Sequence, residues 1–450
     1  MAGLPPGPSS VLRATYEFIF DPIDSLERWV ERYGYVFTAA NLAGPHLFVG
    51  EPQLLRELFA ARDPELFDTS TPSTIDILVG SQSLLLLSGQ AHRHDRRLMM
   101  PSFHGERIRG YGELMAQSAR EAFGRVAVGE QFDALAVCQR VALEIIASVV
   151  FGARGESGAE LIAAIEAMME QQRPGFLFAR ALQRPLLGLS PYARFRAASA
   201  RVDELLDRQI EQVRGEPDNS SVLRLLLDAR YEDGRPMSHA RVRDELRTLL
   251  VAGHETSAVV MAWALYFVAR DAELRERLES ELVYAEDAHA LTRVPLLEAT
   301  VNETLRIRPI TQTGFRRLRK DWQLGDMEIP AGVTVCPSPL IVHFREDLWP
   351  EPKRFDPQRF MGVRASPTHF LPYGGGTRRC LGATLASYEI AVVLGTALRE
   401  FGFELLREDI AYGRDRITLG PVGGVPMRRV ERAPTARRVP DAPELVPLSA

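Results

Sequence analysis

Apolar residues recur at spacings of three and four along most of this chain, which is the period of an amphipathic helix. This pattern predicts helices over residues 25–33, 52–60, 106–126, 133–151, 192–213 and 220–229. Short alternating runs interrupted by glycine and proline, typical of strands, gather at two places, residues 36–49 and 322–335. The chain is therefore predicted to be mainly α-helical with a small β region.

Three further helices are predicted from individual features. Residues 238–271 carry charged side chains up to Arg247 and then an apolar run over 258–269, which is far short of the roughly 20 residues that span a bilayer. A helix over 294–308 ends before Pro309. The third helix covers residues 381–396.

The length of 450 residues would allow two or three domains, yet no linker, repeat or low-complexity tract divides the chain. Apolar residues make up 46% and charged residues 25%, the balance of an ordinary soluble protein. Residues 433–450 contain four prolines and little apolar pattern, so they are predicted to form a disordered tail. Prolines at positions 5, 6 and 8 argue against a signal helix and predict a cytoplasmic location without a membrane anchor.

The three cysteines give no disulfide framework. Cys138 lies in an apolar helical segment and is predicted to be core, and Cys336 lies in the strand-like stretch 333–336. Cys380 differs from both because a glycine-rich bend precedes it.

The glycines at 374–376 allow the backbone to approach a flat ligand closely. Cys380 follows near a helix start, where free N–H groups and the neighbouring Arg378 and Arg379 would favour the thiolate. A single fixed thiolate suits haem iron better than zinc, which requires four clustered ligands. The alternative is a solitary buried cysteine in a glycine turn.

Residues 252–257 place an acid beside an alcohol within the long predicted helix. Gly253 weakens the helix by about 1 kcal/mol relative to alanine, and Thr256 can bond a carbonyl one turn back. The helix is predicted to open here and admit water. Beside an iron, Glu255 and Thr256 would deliver the protons that cleavage of the O–O bond consumes. The alternative is that Thr256 caps a kink and Glu255 faces solvent.

Two charged pairs have helical spacing. Glu303 and Arg306 are three apart, and the alternative to a functional role is a surface ion pair of little energetic value. His92 and Arg96 are four apart, so one helix face would present two donors to an anion. Solvated charge is the alternative, and it is the prediction for the neighbouring Arg93 and Arg97.

These motifs resemble those of the cytochrome P450 family, whose cysteine loop reads Phe-Gly-x-Gly-x-Arg-x-Cys-x-Gly. The matching residues are Gly374, Gly376, Arg378, Cys380 and Gly382, with Tyr373 in the phenylalanine position. Residues 252–257 fit the family's Ala/Gly-Gly-x-Asp/Glu-Thr-Thr/Ser, with His254 at its variable position. Residues 355–360 approach Phe-x-Pro-Glu-Arg-Phe, with Gln358 replacing glutamate.

The resemblance implies a cytochrome P450 fold, one haem-thiolate domain over residues 1–432, and haem b with Cys380 as iron ligand. It also implies haem contacts from Tyr373, Gly374 and Gly382, and propionate contacts from His92, Arg96, Arg378 and Arg316, with Arg317 as second choice for the last. Glu303, Arg306 and Arg359 would form a buried triad behind the cysteine loop. If the triad is buried, loss of Glu303 would prevent haem incorporation.

By position in the resembling fold, several mostly apolar residues would line the substrate pocket. They are Ile75, Ile77, Leu78, Val79, Phe176, Phe178, Ala252, Ile310, Thr311, Val422 and Val425. This lining favours a lipophilic substrate, such as a terpenoid, fatty acyl chain or polyketide. The alternative for each residue is core packing.

The implied reaction is insertion of one oxygen atom from O2 into a C–H or C=C bond. The sequence carries no NAD(P)H or flavin fingerprint, so electrons are expected from a ferredoxin and its NAD(P)H-dependent reductase. The net charge is −5, yet arginines would surround the proximal face and attract an acidic partner. A monomer that binds no nucleic acid is expected. The alternatives are a haem-thiolate isomerase or dehydratase, which needs no acid–alcohol pair, and a haem sensor, which would bring a signalling segment.

Overall fold

The structure, a computed structural model, describes residues 3–68, 75–103, 105–172, 176, 182–184, 188, 190–414 and 418–432. The predicted tail 433–450 and Phe178 lie outside the described residues.

Helices dominate the described part of the chain. They are α1 Val11–Phe20, α2 Pro22–Tyr33, α3 Pro52–Ala60, α4 Asp76–Val79, α5 Gly89–Met99, α6 Glu106–Gly110, α7 Gly112–Gly124, α8 Ala134–Ile145, α9 Gly155–Glu170, α10 Pro191–Arg214, α11 Val222–Asp228, α12 His239–Arg270, α13 Ala272–Leu282, α14 Ala288–Leu291, α15 Pro295–Ile307, α16 Pro339–Val342 and α17 Ala383–Glu400.

The strands are short. They are β1 Val36–Asn41, β2 Gly44–Val49, β3 Phe67–Asp68, β4 Gln131–Asp133, β5 Arg316–Leu318, β6 Trp322–Leu324, β7 Met327–Ile329, β8 Thr334–Pro337, β9 Gly402–Leu405, β10 Tyr412–Arg414, β11 Leu419–Pro421 and β12 Pro426–Val430. One sheet has the order β1-β2-β8-β5-β3, another the order β4-β12-β9, and β6–β7 and β10–β11 form hairpins. The predicted mainly helical body with a small β region is confirmed.

The helix over 106–126 was predicted as one element, and this prediction is wrong. The chain forms α6 and α7, which meet at Tyr111 between Gly110 and Gly112. The Tyr111 hydroxyl donates to the carbonyl of Ser220, 2.7 Å away. Two glycines with low helix propensity and this long-range contact together favour the break.

The long helix α12 forms the centre of the fold. It begins at the Ser238 cap, whose hydroxyl accepts a hydrogen bond from the Arg241 N–H at 3.3 Å. Its C-terminal half, including Trp263, is buried among α7, α8, α15 and α17. Length and composition alone would let α12 cross a membrane, but 67% of its apolar stretch is buried inside the protein. We therefore interpret α12 as a core helix.

Candidate active site

The glycine-rich loop lies against α3. A Cβ on Gly375 would stand 2.5 Å from the Phe59 ring, and a Cβ on Gly376 would stand 2.9 Å from the Phe59 carbonyl oxygen. Gly376 also has a φ of +63°, a conformation that side chains other than glycine rarely adopt. The loop closes with a hydrogen bond from the Cys380 N–H to the Tyr373 carbonyl at 2.9 Å. Glycine is therefore required by close packing as well as by backbone conformation.

Cys380 has an accessible side chain, yet the surrounding protein desolvates its thiol. Its side chain is exposed, whereas Cys138 and Cys336 are buried. Burial nevertheless raises the pKa of Cys380, while the Gly382 N–H, Arg379 and Arg96 lower it. The sulfur therefore faces a recess inside the protein. Arg379 and the Gly382 N–H favour the thiolate, although desolvation has the larger effect. A bound metal cation would favour the thiolate further.

Tyr373 stands where the family has phenylalanine, and its hydroxyl finds a partner. The Tyr373 and Ser387 oxygens are 2.8 Å apart, which ties the loop to the first turns of α17. The Arg379 guanidinium lies over the tyrosine ring, 6.0 Å from its centroid. Burial raises the pKa of Tyr373 to about 12. The departure from phenylalanine therefore leaves no unsatisfied hydroxyl beside the loop.

Two arginines point into the protein beside this loop. Arg316 donates to the Gly375 carbonyl at 2.6 Å, and Arg378 donates to the Leu87 carbonyl at 2.7 Å. Burial lowers the pKa of each guanidinium to about 10, and Arg316 contributes to the shift of Arg378. Strand β5 alternates its side chains, so Arg316 is buried and Arg317 is exposed. The structure thus places Arg316 in the recess and Arg317 outside it.

His92 and Arg96 on α5 complete a cluster of nitrogen donors. Burial, and then Arg378, Arg96 and Arg316, lower the pKa of His92 to about 3. Buried cations that depress each other's pKa values define a strongly electropositive recess, which bound carboxylates would stabilise. The accessible thiol could hold the iron of a haem, and the donor cluster fits the two propionates of that cofactor. No group of three or more His, Cys, Asp or Glu among the described residues could hold a metal ion by itself.

One face of α12 is accessible in the part of the helix where Leu250 and His254 are buried. Ala252 is exposed, and Leu249, Gly253 and Thr256 are partly exposed, at the spacing of a single helix face. The Thr256 hydroxyl donates to the Ala252 carbonyl at 2.6 Å. The chain remains α-helical through Gly253, so the predicted opening is not found in α12. The accessible face nevertheless presents Thr256 to an open space.

Glu255 points elsewhere. The Thr418 hydroxyl, just before β11, donates to Glu255 Oε1 at 2.5 Å. Glu255 also favours the charged form of Arg414 on β10, although burial lowers the pKa of that arginine overall. The two members of the predicted acid–alcohol pair therefore face different surroundings. Glu255 faces the hairpin β10–β11, and Thr256 lies on the accessible face of α12. Thr418 belongs to no motif, so no sequence pattern indicated it.

Glu303, Arg306 and Arg359 come together in the interior. Arg306 forms two hydrogen bonds with the Glu303 carboxylate, both 2.7 Å, and both side chains are fully buried. Arg359 Nε lies 3.5 Å from Glu303 Oε1, and the Asp356 N–H donates to the same oxygen at 2.9 Å. Burial raises the pKa of Glu303, and Arg306 is the main opposing influence. The surface ion-pair alternative does not describe this geometry.

His343, which the sequence reasoning missed, connects this cluster to the cysteine loop. Its Nε2 accepts from the Leu371 N–H at 2.8 Å, so its Nδ1–H donates to the Arg306 carbonyl at 3.1 Å. Burial and then Arg306 lower the pKa of His343 to about 3, so the ring is neutral at physiological pH. Leu371 lies two residues before Tyr373, and the histidine therefore links α15 to the approach of the loop.

Glu389 is another residue that no motif indicated. It lies in the buried middle of α17, and the Ser257 hydroxyl of α12 donates to its Oε2 at 3.0 Å. Burial raises the pKa of Glu389 to about 8. An acid inside the apolar sequence of α17 was the available signal, because such a residue requires a partner.

The predicted pocket residues divide into two groups. Leu78, Val79, Phe176 and Val425 are buried in packed clusters, whereas Ile75, Ile77, Ala252, Ile310, Thr311 and Val422 retain accessible surface. A cavity of about 920 Å³ lies elsewhere, on a different face of α5 from His92 and Arg96, and Asp95, Tyr231 and Arg241 help to line it. No predicted site residue borders that cavity.

Comparisons with known proteins agree with this geometry. The family model described as Cytochrome P450 matches residues 5–414. A protein named as cytochrome P450 138 from Mycobacterium tuberculosis is 35% identical over 387 residues, covering 84% of this chain and 85% of the relative. Another from that organism, named as cytochrome P450 135B1, is 34% identical over 411 residues, covering 88% and 85%. The chain therefore belongs to the cytochrome P450 family.

A solved structure gives the same fold. The chain matches the structure described as retinoic acid bound cyanobacterial CYP120A1 with a TM-score of 0.83 and 23% identity, over 95% of this chain and 99% of that one. The predicted cytochrome P450 fold is confirmed. As a member of this family, the protein is a haem-thiolate monooxygenase that uses O2, redox partners and a lipophilic substrate.

Proposed function

We propose that this protein inserts one oxygen atom from O2 into a lipophilic small molecule of the terpenoid, fatty acyl or polyketide class. The observation that carries the proposal is the accessible thiol of Cys380 beside the buried cluster of His92, Arg96, Arg316 and Arg378. Bound haem b would supply the iron at which O2 is activated, with the thiolate donating electron density.

The residues around the thiol have separate tasks in this proposal. The four-residue cluster binds the two propionates, and its mutual repulsion is relieved when they are present. The loop glycines and Tyr373 shape the contact with the haem edge. Glu303, Arg306 and Arg359 brace the loop from behind, since Glu303 receives Arg306 in a two-bond arrangement. Thr256 handles protons at the accessible face of α12, and Glu255 supplies them.

Electrons are proposed to come from a ferredoxin and its NAD(P)H-dependent reductase. Arg93, Arg97 and Arg379 are exposed near the elements that carry His92 and Cys380. Arg97 already pairs with Glu232, so Arg93 and Arg379 are the better candidates for contacts with an acidic partner. We further propose a cytoplasmic monomer formed by one domain, and the burial of α12 supports a core rather than an anchoring role for that helix.

The deciding experiment is the absorption spectrum of the dithionite-reduced protein under carbon monoxide. A Soret band shifted strongly to the red of histidine-ligated haem is expected for the wild type and is expected to be lost in Cys380→Ser. Cys138→Ser is the matched control, because that thiol is buried in α8. An unshifted wild-type band would contradict thiolate ligation.

Oxygen consumption distinguishes the enzyme from the other haem proteins considered. With ferredoxin, reductase and a lipophilic substrate panel, O2 uptake should rise with a turned-over substrate and yield an oxygenated product. Substrate conversion without O2 uptake would indicate an isomerase or dehydratase. Haem binding without any conversion would favour a sensor.

A further inference from the structure

The hairpin β10–β11 packs directly along α12. A Cβ on Gly420 would stand 3.3 Å from the Val259 side chain, so strand and helix are in close contact. The Leu419 N–H donates to the Ile310 carbonyl at 2.8 Å, which fixes the hairpin to the segment after α15. Thr418, immediately before β11, is therefore held at a defined position beside the helix.

Glu255 and Thr256 cannot act on the same group without movement or an intermediary. Consecutive residues of an α-helix point about 100° apart. Thr256 lies on the accessible face and is bonded to the Ala252 carbonyl at 2.6 Å, while Glu255 is bonded to Thr418 at 2.5 Å. The proton source and the alcohol thus face different parts of the molecule.

The hairpin also supplies the charge that Glu255 faces. Arg414 is held by hydrogen bonds from its Nε to the Ile19 carbonyl at 3.0 Å and from its Nη2 to Gln312 Oε1 at 2.7 Å. It is attracted electrostatically to Glu255. Glu255 and Thr418 are both partly accessible to solvent. The ionised carboxylate is therefore stabilised at the hairpin, on a side that water can reach.

We propose that Thr418 is a positioning residue for proton delivery: it holds Glu255 at the hairpin and connects it to solvent. Proton uptake there forms an O–H bond on Glu255 and breaks that of Thr418, which is reprotonated in the same event by a hydronium ion that leaves as water. The neutral acid then loses its attraction to Arg414 and turns toward the Thr256 face. This inference rests on the proposed monooxygenase function and adds the entry point of its protons.

The test compares Thr418→Val with Thr418→Ser. The valine variant keeps the shape of the side chain but removes the hydroxyl, and the serine variant restores the hydroxyl. We expect Thr418→Val to lower the fraction of electrons that reach product by about tenfold and to raise the solvent isotope effect on turnover. This is less than the roughly 100-fold or more that a proton-transferring side chain itself contributes, because Thr418 only positions the donor. Thr418→Ser should stay close to the wild type. Thr418→Ala provides a second deletion if the valine variant binds no haem.

A readout without turnover is the midpoint of denaturant unfolding in a double-mutant cycle with Glu255→Gln. Both substitutions disrupt the same hydrogen bond between Thr418 and Glu255. The double variant should therefore unfold at nearly the same midpoint as Thr418→Val alone. Strictly additive midpoints would overturn the proposal. The proposal would also be overturned if Thr418→Val coupled electrons to product as well as the wild type while Glu255→Gln did not. Wild-type coupling in Glu255→Gln itself would instead refute the proposed proton role of Glu255, on which this inference rests.

Discussion

At the scale of single residues, the site brings together basic side chains whose charged forms are disfavoured by burial and by one another. The imidazole of His92 has a pKa of about 3 because it is buried and, secondly, because three guanidinium groups lie near it. Burial likewise disfavours the charged form of Arg316. Such an arrangement persists when an anion compensates it, because two carboxylates would form charge-assisted hydrogen bonds with these donors. The cluster is therefore itself an argument for a dicarboxylate cofactor.

Thr256 is the residue through which proton delivery can be tested most directly. Thr256→Ala removes the hydroxyl on the accessible face of α12, while alanine favours the helix, so the fold should be unaffected. Electrons should then be diverted to peroxide and product should fall. The ratio of peroxide to product, measured against NADPH consumed, checks this expectation. Thr256→Ser retains the hydroxyl and should retain coupling; unchanged coupling in the alanine variant would refute the role.

Gly375 tests the packing of the cysteine loop. Gly375→Ala places a Cβ 2.5 Å from the Phe59 ring, although the φ of −155° suits any residue. Overpacking of this kind costs about 1–3 kcal/mol, which should appear as haem loss at a lower urea concentration. Adding Phe59→Ala should recover part of the loss. Gly124→Ala, whose Cβ would meet nothing within 4 Å, is the control and should not weaken haem binding.

At the scale of elements, sequence patterns located the helices better than the strands. Helix α3 has the predicted bounds, because its apolar residues follow the helical period between Pro52 and Ala60. Strands β9 to β12 were missed, since segments of three to five residues are too short to establish alternation. The helices α1, α9 and α13 were also missed. Tyr111 broke a predicted helix through a contact with Ser220, which no local pattern encodes.

Motif spacing predicted that Glu303 lies beside Arg306 and His92 beside Arg96, because each pair occupies one helix face. The family resemblance was needed to add Arg316, Arg378 and Arg359, which lie on other elements. The contacts that the sequence could not reveal join distant segments. Thr418 and Glu255 are 163 positions apart, and His343 joins Arg306 to Leu371. Such pairs depend on the packing of whole elements, so periodicity and local spacing do not predict them.

Glu303→Gln tests the proposed role of the triad, which is to support the cysteine loop from α15. The change removes the charge that compensates Arg306 and Arg359 in a fully buried setting. Breaking a buried ion pair costs about 3–5 kcal/mol, so the variant should fail to incorporate haem rather than turn over slowly. Haem content per purified protein is the measurement. Glu298→Gln, on the exposed side of the same helix, should match the wild type, and full haem loading in Glu303→Gln would contradict the supporting role.

At the scale of the whole molecule, buried titratable groups link stability to pH. His343 has a pKa of about 3 in the folded protein, below its ordinary value of 6.5, so its contribution is lost as the pH falls below 6.5. Glu389 and Glu245 have the opposite shift, to about 8, mainly because of burial. Between pH 6.5 and 8, His343 is neutral in the folded protein, and the two acids decide how the free energy of unfolding changes with pH. Stability should therefore decline as the pH rises.

Glu389→Gln isolates one of these acids. The folded pKa of Glu389 lies above its ordinary value of 4.5, so its contribution is complete below about pH 4.5 and is lost as the pH rises toward 8. Each pH unit in this window should lower the stability of the wild type relative to the variant by up to about 1.4 kcal/mol. Denaturant unfolding at pH 5, 6, 7 and 8 measures this slope. Glu404→Gln, at a solvent-exposed position on β9, should show no comparable slope. A pH-independent difference between the wild type and Glu389→Gln would mean that Glu389 keeps an ordinary pKa inside the folded protein.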